Sequence, residues 1–572
     1  MERQRTLLIG LFAILSYFLF LTWQQDHAPK TNNNITTTDN SEIDVGLPQA
    51  STEVELNEST PNIDTSVPME PDDAQPIQND NISLIEVQTD LLQLTINPVG
   101  GNIVGASLNN YTMGIHSKEV VSLFTRNDQR VYFAESGLIG KTTPDGSSQK
   151  ALFRSDKANY TLGNSDLILD IPLYYTNQDG VRFIKTYRLR KGSYLIELDY
   201  QVINNSDQPL KTRLYTQLLR DQLPDTAKSA GLGMNAYLGG AYSTQETKYT
   251  KYAFSDIVDD IVDDSKPLHV KTQGGWVAII QHYFLTSWIP AKDKMNTLYT
   301  LKTGENLAIG AFQPAVAILP GTQHHLKAEL YVGPKNQEKL KKIAPGLELT
   351  VDYGVLWWIG QPIFALLKML HSLLGNWGAA IIMVTFTVKL LLFPLSNAQY
   401  RSFAKMRKLQ PKMQALKERY GDDRQKMGKA TMELYKKEKV NPLGGCLPLV
   451  IQMPVFFALY WVLMESIELR QAPFMLWIHD LSIQDPYYIL PLIMGASMYL
   501  MQKMQPTAPN MDPMQQKIMQ FMPVMMTVFF LFFPAGLVLY WVVNNTLSIV
   551  QQLAVNKMIE KEDLKIAAKA KG

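Results

Sequence analysis

The sequence predicts a membrane protein built from an α-helical core of six spans joined to a soluble all-β domain. Three observations carry that prediction. First, a lysine, Lys389, sits inside the apolar stretch Trp377–Pro394, close to the roughly 20 residues that a helix needs to cross a bilayer. Second, apolar and polar residues alternate with period two through much of Ser83–Pro345, with turn residues between the runs. Third, the segments between apolar stretches beyond Val355 differ sharply in charge, as loops on opposite sides of a membrane do.

The first span is residues 1–23. Arg3 and Arg5 precede an apolar run from Leu7 to Trp23, and no small-residue cleavage pattern follows it. It is expected to remain as an uncleaved anchor whose start stays in the cytoplasm. Residues 24–82 are rich in Asn, Thr, Pro and acids, with Lys30 the only Lys or Arg among them. Such a composition buries too little apolar surface to offset the entropy of ordering, so a flexible acidic tether is expected.

Residues 83–345 read as strands. Leu92, Leu94 and Ile96 alternate with polar neighbours, and Pro98-Val99-Gly100-Gly101 supplies a turn. Tyr194, Ile196, Leu198, Tyr200 and Val202 alternate until Asn204-Asn205-Ser206-Asp207 ends the run; Leu326, Ala328, Leu330 and Val332 repeat the pattern. A large antiparallel β-sandwich outside the cytoplasm follows. The single cysteine, Cys446, excludes an intrachain disulfide, so this domain must hold by its core alone. His269, His282, His324 and His325 match no metal-ligand spacing. Sugar binding remains open for a sandwich of this kind, without a motif to support it.

Residues 355–375 form an amphipathic helix. Trp357 and Trp358 stand at its head, and Ile363, Leu366, Leu367, Leu370 and Leu374 oppose Lys368, His371 and Ser372. Its polar stripe suits the membrane interface better than lipid. The second span, residues 376–395, carries Lys389. Four further spans are expected within 444–555, several broken by Pro448, Pro454, Pro491 and Pro523. Between them, residues 396–441 hold 13 Lys/Arg against five acids, whereas Glu465–Asp485 holds four acids and one arginine. The first segment is therefore cytoplasmic and the second external; the basic tail, 556–572, places both termini inside. In the basic segment, Met406, Leu409, Met413, Leu416 and Tyr420 recur at helical spacing, Gly421-Asp422-Asp423 interrupts, and Met427, Ala430 and Leu434 resume. An antiparallel helical hairpin with an aspartate cap is expected, its cations free to meet ribosomal RNA or anionic headgroups.

Chemistry is expected around Lys389. At about 1.5 Å per residue it lies roughly 18 Å from Trp377 along the helix. A cation at that depth costs about 2.5–3.5 kcal/mol and normally faces a polar cavity; snorkelling toward headgroups is the alternative. Thr385 lies one turn away on the same face. Trp541, Asn545, Ser548 and Gln552 fall at spacings of four, three and four, and Gln452 adds a polar group from another span. These residues are candidates to line a hydrophilic groove open to the cytoplasm. Met494, Met498 and Met501 form a helical series suited to sliding contacts or to ordinary packing. No intramembrane carboxylate accompanies the lysine, so a proton relay is disfavoured and attraction of acidic segments favoured.

Several long runs resemble the YidC family of membrane protein insertases: AKMRKLQPKMQALKERYGDD (404–423), LYKKEKVNPLGGCLPLVIQMPVFFALYWVL (434–463), ELRQAPFMLWIHDLSIQDPYYILP (468–491), DPMQQKIMQFMPV (512–524) and FPAGLVLYW (533–541). The anchor, tether and sandwich resemble the Gram-negative form, whose periplasmic domain is a β-supersandwich. The resemblance implies an insertase and chaperone rather than an enzyme, located in the cell inner membrane. Its substrates would be nascent hydrophobic membrane proteins, taken alone or beside the Sec translocon. The ribosome and a targeting receptor would meet the cytoplasmic hairpin. Membrane lipids are further partners; specific DNA binding is not expected. The groove cation of the family is typically arginine; Lys389 keeps the charge without the bidentate fork. Tyr540-Trp541 stands where the family would have two tyrosines.

Two other classes compete. A small-solute transporter would place Lys389 in its substrate site, but internal repeats are not evident. A membrane-anchored periplasmic enzyme would need a constellation that the β region does not offer. No Walker-type glycine loop occurs, and no cofactor or metal is expected.

Overall fold

The structure is a computed structural model that describes residues 83–569, except 128, 147–149, 224–235, 263–266, 422, 439–446 and 506–512. The expected anchor, the tether up to 82, and Cys446 lie outside the described residues. The described chain divides into two compact units, one running through Val351 and the other beginning at Asp352.

In the first unit the alternating runs become strands, and the apolar half of each is buried. Leu92, Leu94 and Ile96 are inward on Leu92–Asn97, and Gly100 and Gly101 take positive φ to turn the chain into Asn102–Thr112. Leu195–Ile203 lies between Arg182–Arg190 and Gln323–Pro334, antiparallel to both. Leu198 pairs with Ala328 and Tyr200 with Leu326, so the apolar sets of both strands share one face. Burying each such large side chain stabilises the fold by roughly 1.5–3 kcal/mol. Among the described residues the unit holds one sheet of eleven strands and one of nine. Trp276–Ile280 and Phe284–Pro290 are buried along their whole length. Among the described residues two α-helices accompany the sheets, α1 (Phe254–Val262) and α2 (Gln337–Ile343), the latter capped by Asn336.

The core of this unit contains charges. Lys185 Nζ donates to the carbonyls of Gly100 at 2.9 Å and Ser136 at 2.6 Å. Glu135 pairs with Lys150, and Asp145 Oδ2 accepts from the Leu138 amide at 2.9 Å. The four histidines do not converge: His324 and His325 are exposed, His325 pairs with Asp199 at 2.9 Å, and His282 stacks on Tyr283.

The second unit is helical. α3 (Trp357–Leu374) buries Gly360, Ile363 and Leu367, and ends at Gly375, whose φ of 66° suits glycine. Asn376 caps α4 (Trp377–Leu391) by accepting from the Ala379 amide at 2.9 Å. At Leu392 the chain bends by 67° into α5 (Phe393–Tyr420). Pro394 stands in the first turn of α5, where a missing N–H is tolerated but a continuous ladder from α4 is not. Asp423 caps α6 (Arg424–Lys437), as the sequence pattern anticipates, and Leu409 and Met413 of α5 pack with Leu434 and Tyr435 of α6. The remaining helices are α7 (Leu447–Glu465), α8 (Ile489–Met504), α9 (Pro513–Phe530) and α10 (Ala535–Lys569). Among the described residues no single helix is long and apolar enough to cross a membrane by itself, whereas α4 and α5 pass that test as a bent pair.

Candidate substrate groove

α10 organises the site, because its residues meet α4, α5, α7 and α8. Lys389, on α4, is only 5% exposed, and its Nζ donates to Ser548 Oγ on α10 at 2.8 Å. Ser548 uses its own proton on the Asn544 carbonyl at 2.7 Å, which leaves the hydroxyl oxygen free to accept from the ammonium. The Ser548 carbonyl accepts from the Tyr400 hydroxyl of α5 at 3.2 Å. Gln551 reaches back to the Lys389 carbonyl at 3.5 Å. Among the described residues no carboxylate pairs with Lys389. Among the described residues the ammonium is therefore bonded to a neutral oxygen, that of Ser548.

The other candidates are arranged around this contact. Thr385 is buried one turn before Lys389 and donates to its own helix at Ile381 O. Gln452 of α7 donates to Asn544 Oδ1 at 2.8 Å, and Asn545 donates to Ser497 Oγ of α8 at 3.1 Å. Gln552 donates to the Met504 carbonyl at 3.1 Å. Tyr540 and Trp541 pack on Phe456 of α7, with ring centroids 6.1 and 4.9 Å away. Met498 is half-buried on α8 beside Ser497 and joins none of the polar contacts. The structure thus couples Lys389 directly to Ser548, and fastens the rest of the stripe to α7 and α8.

Sequence reasoning missed Tyr400, Ser497, Asn544 and Gln551. Asn544 carried a usable signal, since it lies one turn before Ser548. Tyr400 and Ser497 carried none, because their roles depend on which helices pack together. Among the described residues, Trp541 Nε1, Asn545 Oδ1 and Gln551 Oε1 are buried without a protein partner. Buried polar atoms of this kind are satisfied by water or by a polar guest. The arrangement can hold a cation ready in a low-dielectric setting and offer polar atoms to an entering segment.

The described chain thus combines an all-β unit with a helical unit in which, among the described residues, a buried lysine has no carboxylate partner. The chain belongs to the YidC family of membrane protein insertases. Residues 369–562 match the family described as 60Kd inner membrane protein, and residues 84–366 match the YidC periplasmic domain. The membrane protein insertase YidC of Marinomonas sp. (strain MWYL1) is 46% identical over 563 residues, covering 98% of this chain and 100% of that one. Its counterpart in Shewanella sp. (strain ANA-3) is 47% identical over 567 residues, covering 99% and 100%. A crystal structure of an active YidC insertase with the first transmembrane domain resolved overlaps 83% of this chain and 93% of that one, at 18% identity and a TM-score of 0.35. The protein is accordingly an inner-membrane protein with a helical insertase core and an all-β periplasmic domain.

Proposed function

We propose that this protein inserts nascent inner-membrane proteins and helps them fold, alone or with the Sec translocon, through a groove open to the cytoplasm. The chain crosses the membrane six times, with both termini in the cytoplasm and the β unit in the periplasm. Support for that topology comes from the basic hairpin and tail set against the acidic segment 465–485. The hairpin meets the ribosome, a targeting receptor or anionic headgroups through its cations. No covalent chemistry is involved: insertion is driven by moving an apolar helix from water into lipid, so the protein is not an enzyme.

The single observation that carries the proposal is Lys389, buried and bonded to a neutral hydroxyl with no carboxylate beside it among the described residues. An acidic segment of a substrate supplies the missing countercharge. The segment is drawn into the groove while its apolar helix leaves by the lipid-facing side. Because the lysine needs only charge for this, Lys389→Arg is expected to keep activity. Lys389→Ala is expected to slow insertion of substrates with acidic translocated tails several-fold in proteoliposomes. Equal insertion by the alanine variant overturns the electrostatic role. Flux of a small solute into the same vesicles, lost in Lys389→Ala, would instead favour a transporter.

A further inference from the structure

The segment between α7 and α8 is acidic in sequence yet apolar on its surface. Glu465, Asp480 and Asp485 are buried. Asp480 Oδ1 accepts from the Gln471 amide at 3.0 Å and the Ser482 amide at 2.8 Å. Asp485 accepts from Trp477 Nε1 at 3.0 Å, the Tyr487 amide at 3.0 Å and the Leu490 amide at 2.7 Å. What faces outward instead is Met475, Leu476, Ile483, Tyr487 and Tyr488, with Leu476 75% and Tyr487 66% exposed. Glu468 and Arg470 at the start of the segment are half-buried, and within 473–488 neither carboxylate is exposed and His479 is the exposed imidazole.

The backbone is bent to achieve this. Among the described residues the three non-glycine positions with positive φ are Gln471, Leu476 and Tyr488, all within this one segment. That conformation is unfavourable for residues with a Cβ and persists only where the surroundings enforce it. Here the enforcement is visible: the buried carboxylates hold the turns, and the Ala535 and Gly536 amides hold the carbonyls of Ile483 and Leu481 at 2.7 and 2.9 Å. A loop bathed in water turns charges out and apolar groups in. This one does the reverse, as a segment lying at the membrane interface does, its apolar and aromatic groups at the boundary of headgroups and acyl chains.

The apolar surface also continues beyond the loop. Tyr488 leads directly into α8, where Leu492 is 60% exposed and Ile493 is also exposed. The 16 residues of α8 rise about 24 Å, short of the roughly 30 Å hydrocarbon core. The loop stands where the missing length falls, and Trp477, Tyr487 and Tyr488 are the residue types that settle at the membrane interface.

We infer that residues 473–488 are seated in the outer leaflet of the bilayer, at the boundary of headgroups and acyl chains, as a rigid cap that lengthens the short helix bundle. The inference rests on the inner-membrane location and on the proposed topology, which puts this segment on the external side, and not on the role of Lys389. Its test is spin labelling of the full-length chain in phosphatidylethanolamine/phosphatidylglycerol vesicles. A nitroxide is placed at Leu476→Cys or Tyr487→Cys in a Cys446→Ser background, which removes the single native cysteine. Leu492→Cys serves as the lipid reference and the exposed Ser165→Cys of the β unit as the water reference. Both loop labels are expected to collide with oxygen several-fold more than with a nickel chelate, as Leu492 does. Nickel access at the level of Ser165 overturns the inference. Low access to both reagents with dipolar broadening also overturns it, since a second copy of the chain would then be covering the patch.

Discussion

Lys389 Nζ and Ser548 Oγ stand 2.8 Å apart, joining α4 to α10 across 159 residues of sequence. A hydrogen bond involving a charged group contributes about 1.5–3 kcal/mol, enough to hold the ammonium in one place but not enough to neutralise it. The cation is thus positioned and left electrostatically available. Ser548→Ala removes the acceptor while keeping the charge. Insertion of acidic-tailed substrates is expected to fall several-fold in Ser548→Ala and to recover in Ser548→Thr, measured in proteoliposomes. Unchanged insertion by the alanine variant would show that the contact positions nothing.

Gly378 on α4 is a packing requirement. A Cβ there would lie 2.1 Å from Cδ2 of Phe474, in the segment that Asn376 also holds through the Phe474 carbonyl at 2.8 Å. Gly378→Ala is expected to destabilise the helical unit by about 1–3 kcal/mol through overpacking. Gly428, inside α6 with nothing within 4 Å, is the control. Gly428→Ala should raise stability slightly, since glycine in a helix interior costs up to about 1 kcal/mol relative to alanine. Thermal melting of both variants in detergent checks the contrast.

The pair Arg401–Glu562 links α5 to α10 with two hydrogen bonds, both of 3.0 Å. Its geometry is good, but both side chains are exposed, and water and salt screen such pairs heavily. Arg401→Ala is therefore expected to leave the melting midpoint and insertion unmoved at physiological salt. A clear loss in either would assign this pair a role that its exposure argues against.

Stability of the β unit should depend on pH through Lys185. Burial pushes its ammonium down to about 7, opposed by the attraction of Asp145. Between about 7 and its usual 10.5 the unfolded chain then binds more protons than the folded one at this residue, so its contribution to stability rises with pH in that window. Below about 7 both states are charged, and the cost of burying the cation is fully present. Urea melting of the intact protein in detergent is expected to show the alkaline gain in the parent chain and to lose it in Lys185→Met. An identical slope in both proteins would exclude Lys185 as its source.

Much of the architecture was legible because it depends on local periodicity. The buried positions of Leu195–Ile203 and Gln323–Pro334 follow from period-two alternation, and the Asp423 cap follows from a break in a helical pattern. The stripe Trp541, Asn545, Ser548, Gln552 was equally readable, since helical geometry alone places those residues on one side. Lys389 announced itself by the energy of a cation within an apolar run.

Partners were not legible. That Ser548 rather than Thr385 accepts the hydrogen bond from Lys389 depends on α10 packing beside α4, and no local pattern encodes it. Charge in the sequence also misdescribed charge on the surface. The acids of 465–485 are plain in the sequence, yet Asp480 and Asp485 turn inward to hold amides while Leu476 and Tyr487 face out. Lys185 sits in an ordinary alternating strand, and only the second sheet closing over it makes it a buried cation. The sequence by itself determined which segments become strands and helices and where the unusual charges lie, because side-chain direction repeats with the backbone's own period. Tertiary structure alone decided what each charge faces, because burial and partnership arise only when elements distant in the chain are packed together.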